Sequence, residues 1–474
     1  MTSPEDLLDE LRRRRTGDLP THGGRTLAYV FDSGLDGVDA LAAQAHALAS
    51  STNGLDPTAF PSMLRCENEL VGEAAALLGG GAHTAGTVTS GGTESCLLAV
   101  LAAREARPDV PRPRMVLPDT AHPAFDKAAH YFGMEAVRVP VDPVTLAADP
   151  SAMAAALDDR TVLVVVSAPS YAHGVLDPVA PVAAAAAARG IRCHVDACIG
   201  GWVLPHLDAA PFDLSVPGVT SIAVDLHKYA YCPKGTSVLL HADAALRRPQ
   251  YFASAAWPGY TMVNPTMQST RSGGPVAAAW AVVRHLGREG YAELARAARR
   301  STLALAEGVD ATDGLRVLVA PDSTLLALTA SDGGLDVFTL ADEMLARGWY
   351  LQPQFGFGPS PANLHLTVTA ALSGQEDALL ADLRAAVDAA RAAGPVVIDD
   401  GIAAVVAALD PDALTPEEFG GLLAAAGLGG GGGLPTRMAP VNALLALAPP
   451  RLRERLTAEF FGRLQQPVLP AEQD

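Results

Sequence analysis

From about residue 66 onward, short runs of branched apolar residues alternate with longer alanine-rich runs of helical periodicity. The unbroken Val and Leu run at 161–167 is typical of a strand that is buried on both faces. This alternation predicts an α/β fold with a mostly parallel sheet covered by helices on both sides. The predicted strands are 85–89, 114–117, 135–140, 161–167, 191–196, 220–225 and 236–241, and the predicted helices include 93–107, 123–132 and 179–189.

The pattern differs at both ends of the chain. Gly, Asp and Ser interrupt one or two amphipathic helices in the first 60 residues, and a glycine run at 429–433 predicts a flexible loop rather than a phosphate cradle. We predict an N-terminal segment (1–60), a large α/β domain (61–308) and a smaller C-terminal α/β domain (309–474). The later predicted elements are a long helical stretch at 275–305, strands at 315–330 and 363–370, a helix at 337–347 and a final helix at 450–465.

Charge and hydropathy exclude several classes of protein. The 474 residues include 52 acidic and 34 basic side chains, a net charge of −18, which leaves no basic surface for nucleic acid. An apolar share of 49% argues against global disorder. No stretch of about 18 uncharged apolar residues that is free of prolines and glycines is found, so we predict no integral membrane segment.

The cysteines indicate a reducing environment. There are five, an odd number in a chain without a secretory segment, which predicts free thiols and a cytoplasmic location. Cys193, His194 and Cys198 are close in sequence, but zinc sites of this kind usually show two ligand pairs. We therefore expect ordinary packing of these residues and no metal site.

Lysine is rare in this chain. The 34 basic side chains include three lysines, which leaves 31 arginines. A primary amine can form an imine with a carbonyl group, whereas a guanidinium cannot. Lys228 and Lys234 both fall within residues 225–235, where His227 and two tyrosines accompany them. Lys228 directly follows a predicted strand and is a candidate for covalent chemistry.

Two further segments carry candidate chemistry. Residues 89–95 read Thr-Ser-Gly-Gly-Thr-Glu-Ser between a predicted strand and a predicted helix, where two glycines and free N–H groups favour a phosphate. Helix capping alone is the alternative, and the spacing is not that of a Walker loop. Asp196 ends another predicted strand, so we expect it in the crevice at the carboxyl ends of the strands or, alternatively, at a helix N-cap.

Together these features match the requirements of one cofactor, pyridoxal phosphate. It needs a lysine for an imine, a carboxylate at the pyridinium nitrogen, a helix N-terminus for its phosphate and a ring stacked on its face. Lys228, Asp196 and the turn at 89–95 supply the first three of these groups.

The chain resembles the sphingosine-1-phosphate lyase branch of the pyridoxal-phosphate-dependent group II decarboxylases, from about residue 57 to residue 284. The resemblance implies the fold-type I architecture, in which a large domain with a mostly parallel seven-stranded sheet is followed by a smaller α/β C-terminal domain. The motifs that carry it read TSGGTES (89–95), AHPAFDKAAHYFG (121–133), APSYAHGVLDP (168–178), HVDACIGG (194–201) and SIAVDLHKYAYCPKG (221–235).

The resemblance also implies roles for individual residues. Thr270, in the stretch 269–274, corresponds to a residue that reaches the phosphate bound to the neighbouring subunit, which implies a homodimer with shared active sites. The other implied roles are Lys228 as the Schiff-base lysine, Asp196 as the pyridinium partner, His122 as the stacking ring, Gly92, Thr93 and His227 as phosphate ligands, and Tyr171 and Lys234 as residues on the substrate side.

The implied activity is that of a lyase acting on a small amine or amino acid. It would cleave a Cα bond by decarboxylation or by retro-aldol cleavage of a β-hydroxy amine, the latter with Tyr171 or Lys234 as the base. Met262 stands where the family has a tyrosine, which removes one substrate-facing hydroxyl. An aminotransferase that holds the substrate carboxylate with Arg316 or Arg347 is one alternative, and a catalytically silent binding or scaffold subunit is another.

Overall fold

Seven strands form the central sheet of the computed structural model, which describes residues 2–425, 436–465 and 467–468. They are β1 (Ala85–Thr89), β2 (Arg114–Pro118), β3 (Glu135–Val139), β4 (Thr161–Ser167), β5 (Arg192–Asp196), β6 (Ser221–Asp225) and β7 (Ser237–His241). Their order is β1-β7-β6-β5-β4-β2-β3, and only β7 of these seven runs antiparallel to its neighbours. Each strand agrees with a predicted one to within a residue at either end, which confirms the mostly parallel α/β sheet.

Strand β4 shows why the apolar pattern predicts this sheet. All of its residues are buried. Val164 and Val166 enter one apolar core, whereas Leu163 and Val165 enter another, because successive side chains point to opposite faces of a sheet. Helices therefore have to cover both faces, as the alternation predicts.

Nine helices and a short hairpin accompany this sheet in the part of the chain up to residue 310. The long helix at 274–310 is broken at Gly287, where φ is 59°. None of the helices in the described ranges is both long and apolar enough to cross a membrane. The elements are α1 (Pro4–Arg14), α2 (Val38–Ala49), α3 (Pro61–Leu77), α4 (Gly92–Glu105), α5 (Ala124–Phe132), α6 (Pro150–Ala155), α7 (Val179–Ala187), α8 (Ala244–Arg247), β8 (Phe252–Ser254), β9 (Met262–Asn264) and α9 (Gly274–Asp310).

A smaller antiparallel sheet follows α9. Its strands are β10 (Leu315–Val317), β11 (Leu325–Ala330), β12 (Gln352–Gln354) and β13 (Asn363–Thr367), in the order β10-β11-β13-β12, with α10 (Val337–Ala346) and α11 (Glu376–Ala393) packed on it. The N-terminal segment pairs with this sheet, because Leu27 donates its N–H to the carbonyl of Tyr350 at 2.9 Å and accepts from Thr367 N at 2.7 Å. The segment thereby packs against the smaller sheet.

The last helices pack around a separate apolar core that includes Phe419 and Leu452. They are α12 (Asp400–Ala408), α13 (Pro416–Ala425), α14 (Ala439–Leu447) and α15 (Pro450–Leu464). Asp342 of α10 accepts the N–H groups of Met438 and Ala439 at 2.9 Å each and so attaches α14 to the smaller sheet. We therefore propose a boundary near residue 394 within the region predicted as one domain. The glycine run at 429–433 lies outside the described residues.

Candidate active site

A cavity of about 680 Å³ lies at the edge of the large sheet where β1, β4, β5 and β6 end. Open α/β sheets bind their ligands at this edge. The cavity brings together eight of the nine predicted site residues. These are Gly92, Thr93, His122, Tyr171, Asp196, His227, Lys228 and Lys234.

The turn between β1 and α4 forms one end of the cavity. Glu94 accepts the N–H of Ser90 at 2.6 Å, and the hydroxyls of Thr89 and Ser95 lie 2.7 Å apart, so the turn is held by its own side chains. The N–H groups of the first helical turn have no partner within the helix, and the helix dipole adds positive potential there. The turn fits an anion such as a phosphate.

Gly92 is required at this turn by a close contact. A Cβ atom on Gly92 would lie 2.8 Å from both carboxylate oxygens of Asp225 and 2.7 Å from the Cys198 sulfur. Real Cβ atoms do not approach other atoms this closely, so any side chain would displace the turn or the groups beneath it. The glycine therefore allows the turn to pack closely against Asp225 at the end of β6 and Cys198 after β5.

Asp196 lies on the floor of the cavity at the end of β5. It is 8% exposed, and its Oδ1 accepts the N–H of Cys198 at 3.1 Å. A buried carboxylate is costly unless its charge is paired. Asp196, with its other oxygen facing the cavity, therefore suits a protonated ring nitrogen as its partner. His122 lines the same cavity, and its Nδ1 accepts the N–H of Ala124 at 3.1 Å, which orients the ring at the start of α5.

Lys228 forms an ion pair with a carboxylate that the sequence analysis did not select. Its Nζ lies 2.9 Å from Oδ2 of Asp225, whose other oxygen accepts the hydroxyl of Ser237 at 2.5 Å. Burial opposes both charges, but their attraction raises the pKa of Lys228 and lowers the pKa of Asp225. The position of Asp225 at a strand end, three residues before Lys228, was the signal that could have identified it.

His227 borders the same ion pair. Its Nδ1 donates to the carbonyl of Thr236 at 2.9 Å, and its Nε2 lies 3.6 Å from Oδ2 of Asp225. Burial lowers the pKa of His227, although Asp225 opposes this shift. The bond to Thr236 fixes the ring with Nε2 toward the cavity floor.

The opposite wall carries Tyr171 and Lys234. The Tyr171 hydroxyl donates to Oε1 of Gln352, and its ring stacks on His365 with centroids 4.3 Å apart. Burial raises the pKa of Tyr171 to about 12. Lys234 donates to the carbonyl of Tyr29 at 3.0 Å; burial and then the charge of Lys228 lower its pKa.

Several residues of this wall escaped the sequence analysis. They come from the N-terminal segment and the smaller sheet, and no motif in the sequence joins those regions to the lysine. Pairing of residues 25–28 with Tyr350 and Thr367 brings them to the site. The missed residues are Tyr29, Phe31, Gln352 and Thr367.

A second cavity of about 540 Å³ adjoins the first and shares His122 and Tyr171 with it. Much of its lining is apolar. The apolar residues are Val141, Leu146, Phe355 and Phe357, together with nearby prolines and alanines. An apolar part of a ligand held in the first cavity can therefore extend past His122 and Tyr171.

Some predicted residues lie elsewhere. Thr270 is exposed and does not line this chain's own cavity, and Met262 is a half-buried residue of β9 away from it. The two arginines named for an aminotransferase are also absent from the lining: Arg316 is exposed on β10, and Arg347 pairs with Glu343 at 2.8 Å. Neither arginine therefore lies where it could hold a substrate carboxylate in this cavity, so the alternative of an aminotransferase gains no support from them.

Residues 21–329 match the profile of the pyridoxal-dependent decarboxylase conserved domain, and residues 400–463 match that of a pyridoxal-dependent enzyme, C-terminal putative HTH domain. The sphingosine-1-phosphate lyase of Dictyostelium discoideum is 38% identical over 72% of this chain and 64% of its own length. The sphingosine-1-phosphate lyase of Arabidopsis thaliana is 36% identical over 85% of this chain and 75% of its own length. The chain thus spans just under two thirds of the first of these relatives.

Solved structures show the same relation. The sphingosine-1-phosphate lyase of Burkholderia pseudomallei superposes with a TM-score of 0.78 at 38% identity, covering 83% of this chain and 92% of that one. The glutamate decarboxylase of Lactobacillus brevis superposes with a TM-score of 0.74 at 19% identity, covering 82% and 94%, which shows the fold alone.

Proposed function

The chain belongs to the sphingosine-1-phosphate lyase branch of the pyridoxal-dependent decarboxylase family, and on this premise we propose that it is a carbon–carbon lyase acting on a phosphorylated β-hydroxy amine. The retro-aldol reaction would cleave the Cα–Cβ bond and release an aldehyde. The family relation and the lysine-lined cavity support this choice.

The cavity fits pyridoxal phosphate in three places. Lys228 would bind the cofactor through its amine, Asp196 would pair with the ring nitrogen, and the N–H groups of Gly92 and Thr93 would bind the phosphate. His122 would lie against the ring, and His227 would support the phosphate end. When bound, this cofactor supplies an electron sink for the bond that breaks at Cα.

The chain's own residues must remove the proton of the substrate β-hydroxyl. A base has to be deprotonated to accept this proton, and the two candidates shift in opposite directions. Burial raises the pKa of Tyr171 to about 12, a value at which the phenol keeps its proton and donates to Gln352. Lys234 lines the cavity, and burial and the charge of Lys228 lower its pKa, which is the direction a base requires. We therefore assign Lys234 as the base and Tyr171, whose hydroxyl is hydrogen-bonded to Gln352, as a positioning residue.

One observation carries the choice of a lyase over an aminotransferase. Among the described residues, the cavity is lined by two lysines, Lys228 and Lys234, and by no arginine. A planar guanidinium is the usual partner for a substrate α-carboxylate, so this lining favours a substrate that lacks a carboxylate. The adjoining cavity, whose surface is largely apolar although Asp119, Asp126 and Arg138 also line it, would take a hydrocarbon tail.

The test is product analysis with a panel of substrates. The panel includes phosphorylated β-hydroxy amines with short and long tails, their unphosphorylated forms, and amino acids. We expect an aldehyde from the phosphorylated long-tailed amines. Release of carbon dioxide from amino acids would instead make the protein a decarboxylase, and formation of a keto acid without an aldehyde would overturn the lyase proposal.

A variant of the base sharpens this test. Lys234→Gln should lower kcat/KM for the cleaved amine by about 10²- to 10⁴-fold, the usual contribution of a general base. Lys127→Gln is the matched control, because Lys127 is an exposed residue of α5. Equal activities of the two variants would remove Lys234 from the reaction.

We further propose a homodimer with shared active sites. Exposed apolar side chains on and beside the β8–β9 hairpin support it, namely Phe252, Trp257, Tyr260 and Val263, and the exposed Thr270 follows the hairpin. In mixed dimers of Lys228→Ala and Thr270→Ala subunits, one site would have both residues intact. Recovery of activity on mixing the two inactive variants would support sharing, and no recovery in dimers shown to be mixed would contradict it.

A cytoplasmic location is part of the proposal. Its support is that all five cysteines are free thiols in the structure, as a reducing compartment requires. Fractionation of cells that produce the tagged chain would test it, and recovery outside the cytoplasmic fraction would contradict it.

A further inference from the structure

Two thiols and the floor carboxylate meet at one point of the first cavity. Sγ of Cys96, Sγ of Cys198 and a carboxylate oxygen of Asp196 all lie within 4.8 Å of one another. Cys96 belongs to the second turn of α4, whereas Asp196 and Cys198 flank the end of β5. The metal pair considered from the sequence, Cys193 with Cys198, does not form, because Cys193 is enclosed in β5 and only Cys198 reaches the cavity.

The separation of these atoms suits a thiophilic cation. Zinc binds thiolate sulfur at about 2.3 Å and carboxylate oxygen at about 2.0–2.2 Å, so tetrahedral ligands stand roughly 3.5–3.8 Å from one another. Cys96 and Cys198 already form a side-chain hydrogen bond with each other. Small rotations of side chains would therefore complete the ligand set without movement of the backbone.

The site is buried yet reachable. Cys96 is 1% exposed, Cys198 7% and Asp196 8%, and all three line the first cavity, which opens to solvent. A hydrated cation can enter through the cavity, and water there can supply the fourth ligand, as in zinc sites with three protein ligands.

The metal has to displace the protons of two thiols whose pKa values are raised in this buried site. Two thiolates and one carboxylate around a divalent cation carry one net negative charge, and the ammonium of Lys228 lies close enough to interact with both Asp196 and Cys198. Each thiol loses its proton to the solvent when the metal binds, so uptake releases two protons and strengthens as pH rises. Soft sulfur ligands select zinc or cadmium over magnesium or calcium.

We propose that Cys96, Cys198 and Asp196 form an inhibitory site for a thiophilic divalent cation, such as zinc, that excludes the cofactor. The exclusion rests on the proposed function, in which Asp196 pairs with the cofactor ring. The metal and the ring nitrogen need the same carboxylate, so only one of them can bind at a time. Metal binding itself depends only on the three side chains.

Cadmium is the probe, because its bonds to thiolates absorb in the ultraviolet. The chain, freed of cofactor and kept reduced by a reagent without thiols, is titrated with CdCl₂. We expect one cadmium per chain and an absorption with the intensity of two thiolates. Cys96→Ala and Cys198→Ser should each halve this absorption and weaken binding by at least about 10- to 100-fold, the loss that even a supporting residue of a metal site causes.

The control variant is Cys66→Ser, because Cys66 is a half-buried thiol of α3 that does not line the cavity. It should bind cadmium as the unmodified chain does, and magnesium should produce no signal. Unchanged cadmium binding in a folded Cys96→Ala or Cys198→Ser chain would overturn the site; if one variant fails to fold, the other decides.

The exclusion is tested by adding pyridoxal phosphate to the chain with and without one equivalent of cadmium. We expect slower and weaker cofactor uptake in the presence of the metal. A chelator should restore normal uptake, and cadmium should not affect uptake by the Cys96→Ala variant. Equal uptake in all cases would overturn the exclusion. Cadmium binding is measured by metal–thiolate absorption, so an absence of binding would overturn the metal site and leave the lyase proposal intact. The lyase proposal is tested separately, by the products that the enzyme releases.

Discussion

The two sides of the main cavity are built in different ways. The side with Lys228 and Asp196 comes from turns at the carboxyl ends of neighbouring strands of one sheet, so its groups are placed by a single hydrogen-bonded framework. The side with Tyr171 and Lys234 also needs the N-terminal segment and the smaller sheet, which supply Tyr29 and Gln352. The first side is therefore as rigid as the sheet, whereas the second depends on how separate parts of the chain pack.

This difference separates two kinds of function. Rigid placement suits a cofactor, whose geometry is the same in every reaction cycle. A wall assembled from several segments can be changed by substitutions in any of them, which suits the recognition of a substrate. We expect variants on the first side to change cofactor binding and variants on the second side to change substrate binding.

The largest expected effect is that of Lys228→Ala on the first side. Loss of the amine should lower turnover by on the order of 10⁴-fold or more, as removal of a covalent catalytic group does. Lys127→Ala is the matched control and should retain activity, because this lysine lies on the exposed face of α5. Activity of Lys228→Ala within about 10-fold of the unmodified chain would refute the role assigned to this lysine.

Stability must be separated from chemistry in this variant. Removal of the amine leaves the Asp225 carboxylate, which is 2% exposed, without its partner at 2.9 Å. Breaking a buried pair in this way costs about 3–5 kcal/mol. The double variant Lys228→Ala/Asp225→Asn should recover most of that loss in thermal unfolding while remaining inactive.

A smaller effect is expected from Gly92→Ala at the phosphate turn. The added methyl group would lie 2.7–2.8 Å from Cys198 and Asp225, and overpacking of this kind costs about 1–3 kcal/mol. Weaker cofactor binding should accompany the lower Tm, because the turn has to move. In Gly72→Ala, at an exposed position of α3 outside the cavity, no atom lies within 4 Å of the added Cβ, so that variant should bind the cofactor normally. Similar losses of cofactor binding in both variants would contradict a local effect of the close contact at Gly92.

The third prediction concerns the other side. Tyr171→Phe keeps the ring stacked on His365 but removes the hydrogen bond to Gln352. Such a bond contributes about 0.5–1.5 kcal/mol, so KM should rise by roughly 2- to 10-fold while cofactor affinity stays constant. Tyr131→Phe, a change of an exposed tyrosine on α5, is the control. A loss as large as that expected of Lys234→Gln would make Tyr171 the base.

The same difference explains what could be predicted from the sequence. The strands of the large sheet are buried on both faces and their apolar runs are continuous, so their positions follow from the pattern. Lys228, Asp196 and Gly92 follow strand ends, where ligands bind in such sheets, and these places could be predicted. Gln352 and Tyr29 reach the cavity only through pairing between residues distant in sequence, which periodicity does not reveal.

Two other features escaped prediction for related reasons. The position of Asp225 at the end of β6, three residues before Lys228, marks it as a candidate, but its pairing with Lys228 depends on the sharp turn that follows the strand. The helices after residue 394 show the same apolar periodicity as helices that cover a sheet, but they pack on one another. Periodicity shows that a face is buried without showing which partner buries it.

The smallest effect should come from buried histidines on the two sides. Burial lowers the pKa of His173, near the substrate wall, and of His194, beneath Asp196, to about 4 each. The unfolded chain takes up protons on both near its ordinary pKa of about 6.5, whereas the folded chain does not. Stability should therefore fall as pH drops from about 6.5 to 4, with each histidine adding at most 1.36 kcal/mol per pH unit.

The variants His173→Gln and His194→Gln should each make this pH dependence shallower by up to one proton in denaturant unfolding, and His83→Gln, at an exposed site, should not change it. Equal changes would mean that both sides of the cavity unfold in one transition. If His173→Gln alone changes the dependence, the substrate side opens separately at low pH. The cause of this separate opening would be that the substrate side is assembled from several segments, through contacts such as that of His173 with Ser360 at 3.0 Å. The cofactor side is placed by the sheet alone.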